Sequence, residues 1–186
     1  MTKLKCQVLI VHGEVASGKT HRGEQLVDRA KANGYDVHGV LSKRVMENRD
    51  TIGYDMMDVQ SGLSQQLVYR KEHVKGEGWE PLRGPFLYRV KAFEEANRLL
   101  TDAAYKMGKK TLVVADEYGH LEARGFGLFP GLRKVVDSLG KGKLLILCRT
   151  DKIDQVLKLF NQNEIRVLVM EASQRDFMGT LADSFI

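Results

Sequence analysis

The sequence predicts an α/β protein: a three-layer α/β/α arrangement around a mostly parallel sheet, with a small β-rich insertion. Three observations carry that expectation. Short apolar runs alternate with segments of helical period along the whole chain. The runs at 8–11 and 144–148 are apolar at consecutive positions, as strands buried on both faces require. Between about residues 43 and 90 this alternation gives way to short strand-like segments and turns rich in Gly and Pro. Helices joining parallel strands imply right-handed crossovers, which put helices on both faces of the sheet. The whole chain, 1–186, reads as one domain, long enough to bury a substantial core.

Each element has its own signature. Residues 4–11 form a near-continuous apolar strand, and 20–33 a helix whose apolar positions Leu26, Val27 and Ala30 share a face. Gly34 supplies the helix stop, and 37–41 is the second strand. Segments 52–59 and 65–69 read as strands of a hairpin that turns at Ser61-Gly62. Residues 71–85, punctuated by Gly76, Gly78, Pro81, Gly84 and Pro85, read as an irregular excursion, and 86–90 as one more short strand. Helix returns over 91–107, where Phe93, Ala96, Leu99, Leu100, Ala103 and Ala104 make one apolar face. Strands at 111–115, 144–148 and 165–170 then alternate with helices at 128–139 and 152–160, and a short helix is expected after Ser173.

Composition excludes several classes. With 43% hydrophobic and 28% charged residues and two cysteines, the chain is not disordered, collagen-like or disulfide-held. No run reaches the roughly 18–20 apolar residues of a membrane span, so no membrane partner is expected. The first residues, 1–5, lack the pattern of a secretory leader. Cys6 and Cys148 lie in apolar runs with no metal-ligand spacing, which suits reduced, buried thiols in the cytoplasm. A net charge of +5 suits a phosphate-bearing ligand. It neither requires nor rules out nucleic acid, and it names no protein partner.

The strongest motif is Gly13-Glu14-Val15-Ala16-Ser17-Gly18-Lys19-Thr20, followed by His21. It is a Walker A phosphate loop, set directly between a buried strand and an amphipathic helix. Gly13 and Gly18 permit the torsions that turn successive N–H groups toward a phosphate. Lys19 brings a flexible charge to the β- and γ-phosphates, and the Thr20 hydroxyl is a hard oxygen ligand for Mg²⁺. The positive end of the following helix favours the same anion. A nucleoside triphosphate is therefore the expected ligand and Mg²⁺ the expected cofactor.

Such a loop calls for an acid at the end of a neighbouring strand, the Walker B position. Leu112-Val113-Val114-Ala115-Asp116 supplies it, with Glu117 next. In a parallel sheet both loops open at the same C-terminal edge. Asp116 is then the metal-side carboxylate, and Glu117 is placed to orient or deprotonate an attacking water.

The run Asp116-Glu117-Tyr118-Gly119-His120-Leu121-Glu122 resembles the Asp-Glu-x-Gly-x-Met/Leu-Glu segment of a family of small P-loop nucleoside-triphosphatases first described from thermophiles. Gly53-Tyr54-Asp55, Gly62 and the stretch 84–90 leading into Lys91 extend the resemblance, which covers residues 4 to about 170. It implies a P-loop NTPase fold and Mg²⁺-dependent hydrolysis of NTPs to NDP and phosphate with broad base preference. The chain departs from the family at Ala16, where relatives tend to carry Gly, and at His21, where they carry Thr or Ser. Tyr118, His120, Lys43 and Arg44 depart as well.

Weaker signals remain. Lys43, Arg44 and Arg49 read either as a solvated basic loop after the second strand or as a lid that neutralises γ-phosphate charge. Arg149 ends a strand beside the expected site and can reach a phosphate or base, while Thr150 or Asp151 reads as a helix cap. His12 and His120 read as surface or hydrogen-bonded side chains, and Trp79 as a local cap over the insertion or, alternatively, a ring that stacks on a base. The sequence thus points to an Mg²⁺-dependent NTP hydrolase with Lys19 and Glu117 as catalytic residues. A small-molecule or nucleoside kinase on the same core, or a nucleotide-gated binding protein, is the alternative.

Overall fold

The structure is a computed structural model and describes residues 5–161 and 164–186. In chain order it runs β1 (Val8–His12), α1 (Lys19–Ala32), β2 (Asp36–Glu47), β3 (Asp50–Asp58), β4 (Ser64–Arg70), β5 (Trp79–Arg83) and β6 (Phe86–Arg89). It continues with α2 (Val90–Tyr105), β7 (Thr111–Tyr118), α3 (Phe129–Asp137), β8 (Lys143–Cys148), α4 (Ile153–Leu157), β9 (Val167–Glu171) and α5 (Phe177–Ser184). Leu4 of the expected first strand, and the start of the chain at 1–4, lie outside the described residues.

All strands join one nine-stranded sheet in the order β5-β6-β4-β3-β2-β7-β8-β1-β9. From β2 to β9 the pairings are parallel. From β2 outward to β5 they are antiparallel, so the β-rich insertion extends the parallel sheet sideways. Two cores flank it. Val8 and Ile10 of β1 face one with α2, α3 and Val156 of α4, while Leu9 and Val11 face the other with α1 and α5. Consecutive apolar residues thus feed opposite cores, which is the three-layer arrangement expected from the sequence.

The structure corrects several local expectations. The second strand runs through Glu47, so Lys43 and Arg44 lie on a strand, and Arg49 sits in the tight turn with Asn48, at φ of 72° and 48°. The register of β2 against β3 explains this, since pairing from Val40↔Asp58 to Glu47↔Asp50 gives the polar stretch ladder partners that periodicity cannot reveal. The stretch 71–85 contains a 3₁₀ turn at Lys71–His73 and the edge strand β5, whose Pro81 is tolerated because its outer side lacks a partner strand. The helix expected over 152–160 is a 3₁₀ turn at Thr150–Lys152 followed by the short α4. Neither Thr150 nor Asp151 caps it through its side chain; Asp151 instead pairs with Arg149 and Lys152, each at 3.1 Å.

Trp79 caps the insertion, as expected. Its ring meets Tyr69 edge-on at 6.3 Å, and its indole N–H donates to Lys75 O at 3.1 Å. Gly53 makes room for Tyr69 across β3 and β4, because a Cβ there would lie 2.5 Å from the Tyr69 ring. The close contact that seats β2 on β7 is at Gly39, where φ is 104° and a Cβ would meet Val114 O at 2.0 Å. Gly39→Ala should cost about 3 kcal/mol or more through strain and overlap. For a chain of 186 residues, Tm should fall by roughly 6–12 °C in a thermal melt.

Candidate active site

The loop between β1 and α1 is shaped by its glycines. A Cβ on Gly13 would lie 2.2 Å from Ser17 Oγ and 2.9 Å from Ser17 Cβ, so a side chain there would displace Ser17, although the Gly13 backbone is not left-handed. Gly18 takes the left-handed conformation at φ 88° as the residue before α1. Ala16 also sits there, at φ 64°, a strained setting for a residue with a side chain. The first turn of α1 has no side-chain cap and no acid, which leaves its N–H groups and the helix dipole open to an anion. Lys19 Nζ donates to Gly13 O at 2.9 Å and Glu14 O at 2.7 Å, which holds the ammonium against the loop.

Asp116 is 1% exposed and lies behind Thr20. Its Oδ2 accepts from Thr20 Oγ1 at 2.8 Å and from Ser42 N at 2.9 Å. Its Oδ1 is buried without a partner. Burial, and then the neighbouring Glu117 charge, push the Asp116 carboxyl well above the ordinary carboxylate range.

Beyond Ala115 the pairing of β7 with β8 slips: Ala115 pairs with Ile146, but Tyr118 with Cys148. Asp116 and Glu117 together oppose one residue, a β-bulge, and Glu117 takes φ 76°. Asp116 stays buried while Glu117 opens into a cavity of about 740 Å³. Partial desolvation beside the cavity wall raises the Glu117 carboxyl, against the pull of Lys19 and Arg149.

The structure brings most of the expected residues to this cavity. Val15, Ala16, Ser17, Gly18, Lys19, Thr20 and His21 line it, as do Arg44, Glu117 and Arg149. Gly13 and Glu14 contribute carbonyls to Lys19 and lie outside the lining. Lys43 is held away, its Nζ 2.7 Å from Glu24 of α1, and Arg49 is outside the lining too. His12 Nδ1 is 3.3 Å from Thr150 Oγ1. His120 lines the cavity, where burial and the cations Lys152 and Arg149 lower its pKa.

Sequence reasoning missed three contributors. Ser42 lends its backbone N–H to Asp116. Glu122 is buried and accepts from Gly119 N at 3.0 Å and Leu128 N at 2.9 Å, tying down the loop 119–128 beside the cavity. Burial pushes its carboxyl up, opposed by those two N–H groups. Asn97 of α2 donates to Gly127 O at 2.8 Å and accepts from Gly131 N at 2.7 Å, fixing the same loop from the other side. Glu122 was legible as part of the family run; Asn97 had no sequence signal beyond its place in a helix.

The donor set suits a hard dication. Thr20 Oγ1 and the unpartnered Oδ1 of Asp116 are oxygens, and the two raised carboxyls gain from nearby positive charge. Among the described residues no three His, Cys, Asp or Glu side chains gather into a metal cage. That combination fits Mg²⁺, which takes one or two protein oxygens and completes its shell with phosphates and water.

A parallel sheet with a Walker A loop after β1 and an acid at the end of β7 defines a P-loop nucleotide-binding protein. The chain belongs to the NTPase family, whose model, described as NTPase, matches residues 8–181. That agrees with the resemblance read from the Asp-Glu-x-Gly segment. Two solved structures share the fold. One is the solution structure of a human cancer-related nucleoside triphosphatase, 21% identical, with 96% of this chain and 94% of that chain covered and a TM-score of 0.66. The other is the crystal structure of THEP1 from the hyperthermophile Aquifex aeolicus, 19% identical, with 95% of each chain covered and a TM-score of 0.66. No curated protein matches the chain in sequence. Among the described residues, no helix is long and apolar enough to cross a membrane.

Glu122→Ala should leave the Gly119 and Leu128 N–H groups without an acceptor and cost about 2 kcal/mol or more in chemical denaturation. Glu122→Gln, which keeps one acceptor oxygen, should cost less.

Proposed function

We propose that this chain hydrolyses nucleoside triphosphates to nucleoside diphosphate and phosphate in an Mg²⁺-dependent reaction. The observation that carries this reading is the bulge in β7. It puts Glu117 in the cavity facing the phosphate loop while Asp116 remains beneath Thr20. A single strand end thereby offers one carboxylate to the metal side and one to the nucleophile side.

The backbone N–H groups of the loop, with Lys19, bind the triphosphate and orient its γ end toward Glu117. Thr20 and Asp116 would hold Mg²⁺, which when bound offsets the charge of the phosphate oxygens. Glu117 accepts a hydrogen bond from water and takes its proton as the oxygen attacks the γ-phosphorus in line. Its raised carboxyl makes it a stronger base than a free glutamate. Arg44 and Arg149 add positive charge to the cavity wall; Arg149 is held in place by Asp151 at 3.1 Å. His21 lines the wall and pairs loosely with Glu24 at 3.9 Å. Broad base preference follows from contacts concentrated on phosphates. The unpaired thiols of Cys6 and Cys148 support a cytoplasmic setting.

Phosphate release from ATP, GTP, CTP and UTP, with and without Mg²⁺, tests the reading. Release from several of them should stop when the metal is chelated. Glu117→Gln should keep nucleotide affinity but lower turnover by about 10²-fold or more; wild-type turnover would remove Glu117 from the mechanism. Lys19→Ala should weaken NTP binding at least about tenfold in calorimetry, and unchanged binding would refute the phosphate-loop assignment.

A further inference from the structure

The cavity extends past the residues that the proposed hydrolysis uses. In-line attack puts the nucleophile and the departing nucleoside diphosphate on opposite sides of the γ-phosphorus. If Glu117 marks the nucleophile side, the nucleoside lies on the other side, and whatever extends beyond Glu117 is left for something else. A water molecule needs about one probe sphere of space there.

The cavity instead runs on past Glu117 over β2, β3 and β4 and up to β5. At roughly 4.8 Å between neighbouring strands, β4 lies about 14 Å beyond β7. Leu67, Val68, Leu82, Phe93 and Leu128 make this far part apolar. Arg44, Arg83 and Arg124 supply its cations, and among the described residues none of the three has an ion-pair partner. The acids on the lining are Glu117, assigned to the nucleophile, and Glu122, which already accepts two backbone N–H groups. Tyr54, paired with Arg44 across β2 and β3, stands at the junction, close enough to Glu117 and Arg44 to feel both charges. The whole cavity, phosphate loop included, measures about 740 Å³, and its far part, an apolar wall with a few convergent polar groups, has the make-up of a small-molecule site.

We propose that the part of the cavity beyond Glu117 is a second binding site, taken by a small organic anion with an aromatic or branched apolar body, bound together with the nucleoside triphosphate. The apolar wall holds the body and the unpaired arginines hold the negative group. This inference rests on the reading of Glu117 as the residue on the nucleophile side. A ligand in this site reaches the γ-phosphate from the side of the attacking oxygen, so it controls which oxygen, or whether any, stands there.

Fluorescence titration of the full chain with anilinonaphthalene sulfonate, an apolar aromatic anion, tests the proposal. The titration is run with Mg²⁺ and a saturating non-hydrolysable ATP analogue, and again without them. One probe per chain should bind in both conditions with affinities within about threefold of each other. Leu82→Glu and Arg83→Glu, both on the edge strand β5, should each weaken the probe at least about tenfold. Calorimetry should find their affinity for the ATP analogue unchanged, and circular dichroism melts check that both fold. Displacement of the probe by the analogue would overturn the proposal by assigning the cavity to the nucleoside. Probe binding unaffected by both substitutions, or absent altogether, would overturn it too. Failure of the analogue to bind wild-type protein is a failure of the nucleoside triphosphatase reading, seen separately in the calorimetric arm.

Discussion

The carboxylate of Asp116 is the group on which the rest of the site depends. One of its oxygens accepts from the first turn of α1, through Thr20, and from the backbone of β2, through Ser42. Three elements that are far apart in the chain therefore meet at one buried, charge-bearing atom. A carboxylate without such donors would be costly in this setting. The phosphate loop takes its position from the same contact, because Thr20 ends the motif and lies in the first turn of the helix. Close packing of α1 on the sheet depends on Gly23, where a Cβ would come within 2.9 Å of Leu41 and Leu147.

The bulge in β7 follows from that constraint. A regular strand would send Asp116 and Glu117 to opposite faces of the sheet, one into each helical layer. Asp116 has to stay beneath Thr20, and the added residue lets Glu117 turn toward the loop instead of into a core. The left-handed torsion at Glu117 is the local cost, and the following loop is held by the hydrogen bonds that Glu122 accepts from Gly119 and Leu128 and that Asn97 donates to Gly127. Strain of this kind persists where surrounding contacts over-determine the conformation.

The insertion has a separate role in the architecture. By pairing antiparallel to β2, strand β3 carries the sheet beyond its parallel part, and β4, β6 and β5 carry it further. The edge that carries the phosphate loop thereby gains a floor extending well past that loop. Gly53 and Asp55 serve the packing of this floor, since Gly53 makes room for the Tyr69 ring and Asp55 accepts its hydroxyl at 2.8 Å. Tyr54, between them, lines the cavity. A short family-like signature in the sequence thus combines two packing residues with one that faces the site.

The sequence by itself determined the alternating α/β order, the strands buried on both faces, the phosphate loop and the Asp-Glu pair. These are local: a period of two or 3.6 residues, or two glycines five positions apart followed by Lys-Thr, reports its environment without reference to distant residues. Tertiary structure alone decided the length of β2, since its polar half is a strand only because β3 pairs with it. The same holds for β5, which has little apolar signal and exists through its ladder with β6. It decided which cations reach the cavity, sending Lys43 to Glu24 and leaving Arg44 on the wall. It also decided that Glu117 faces the loop, because a bulge is a mismatch between two strands and belongs to neither strand's sequence alone.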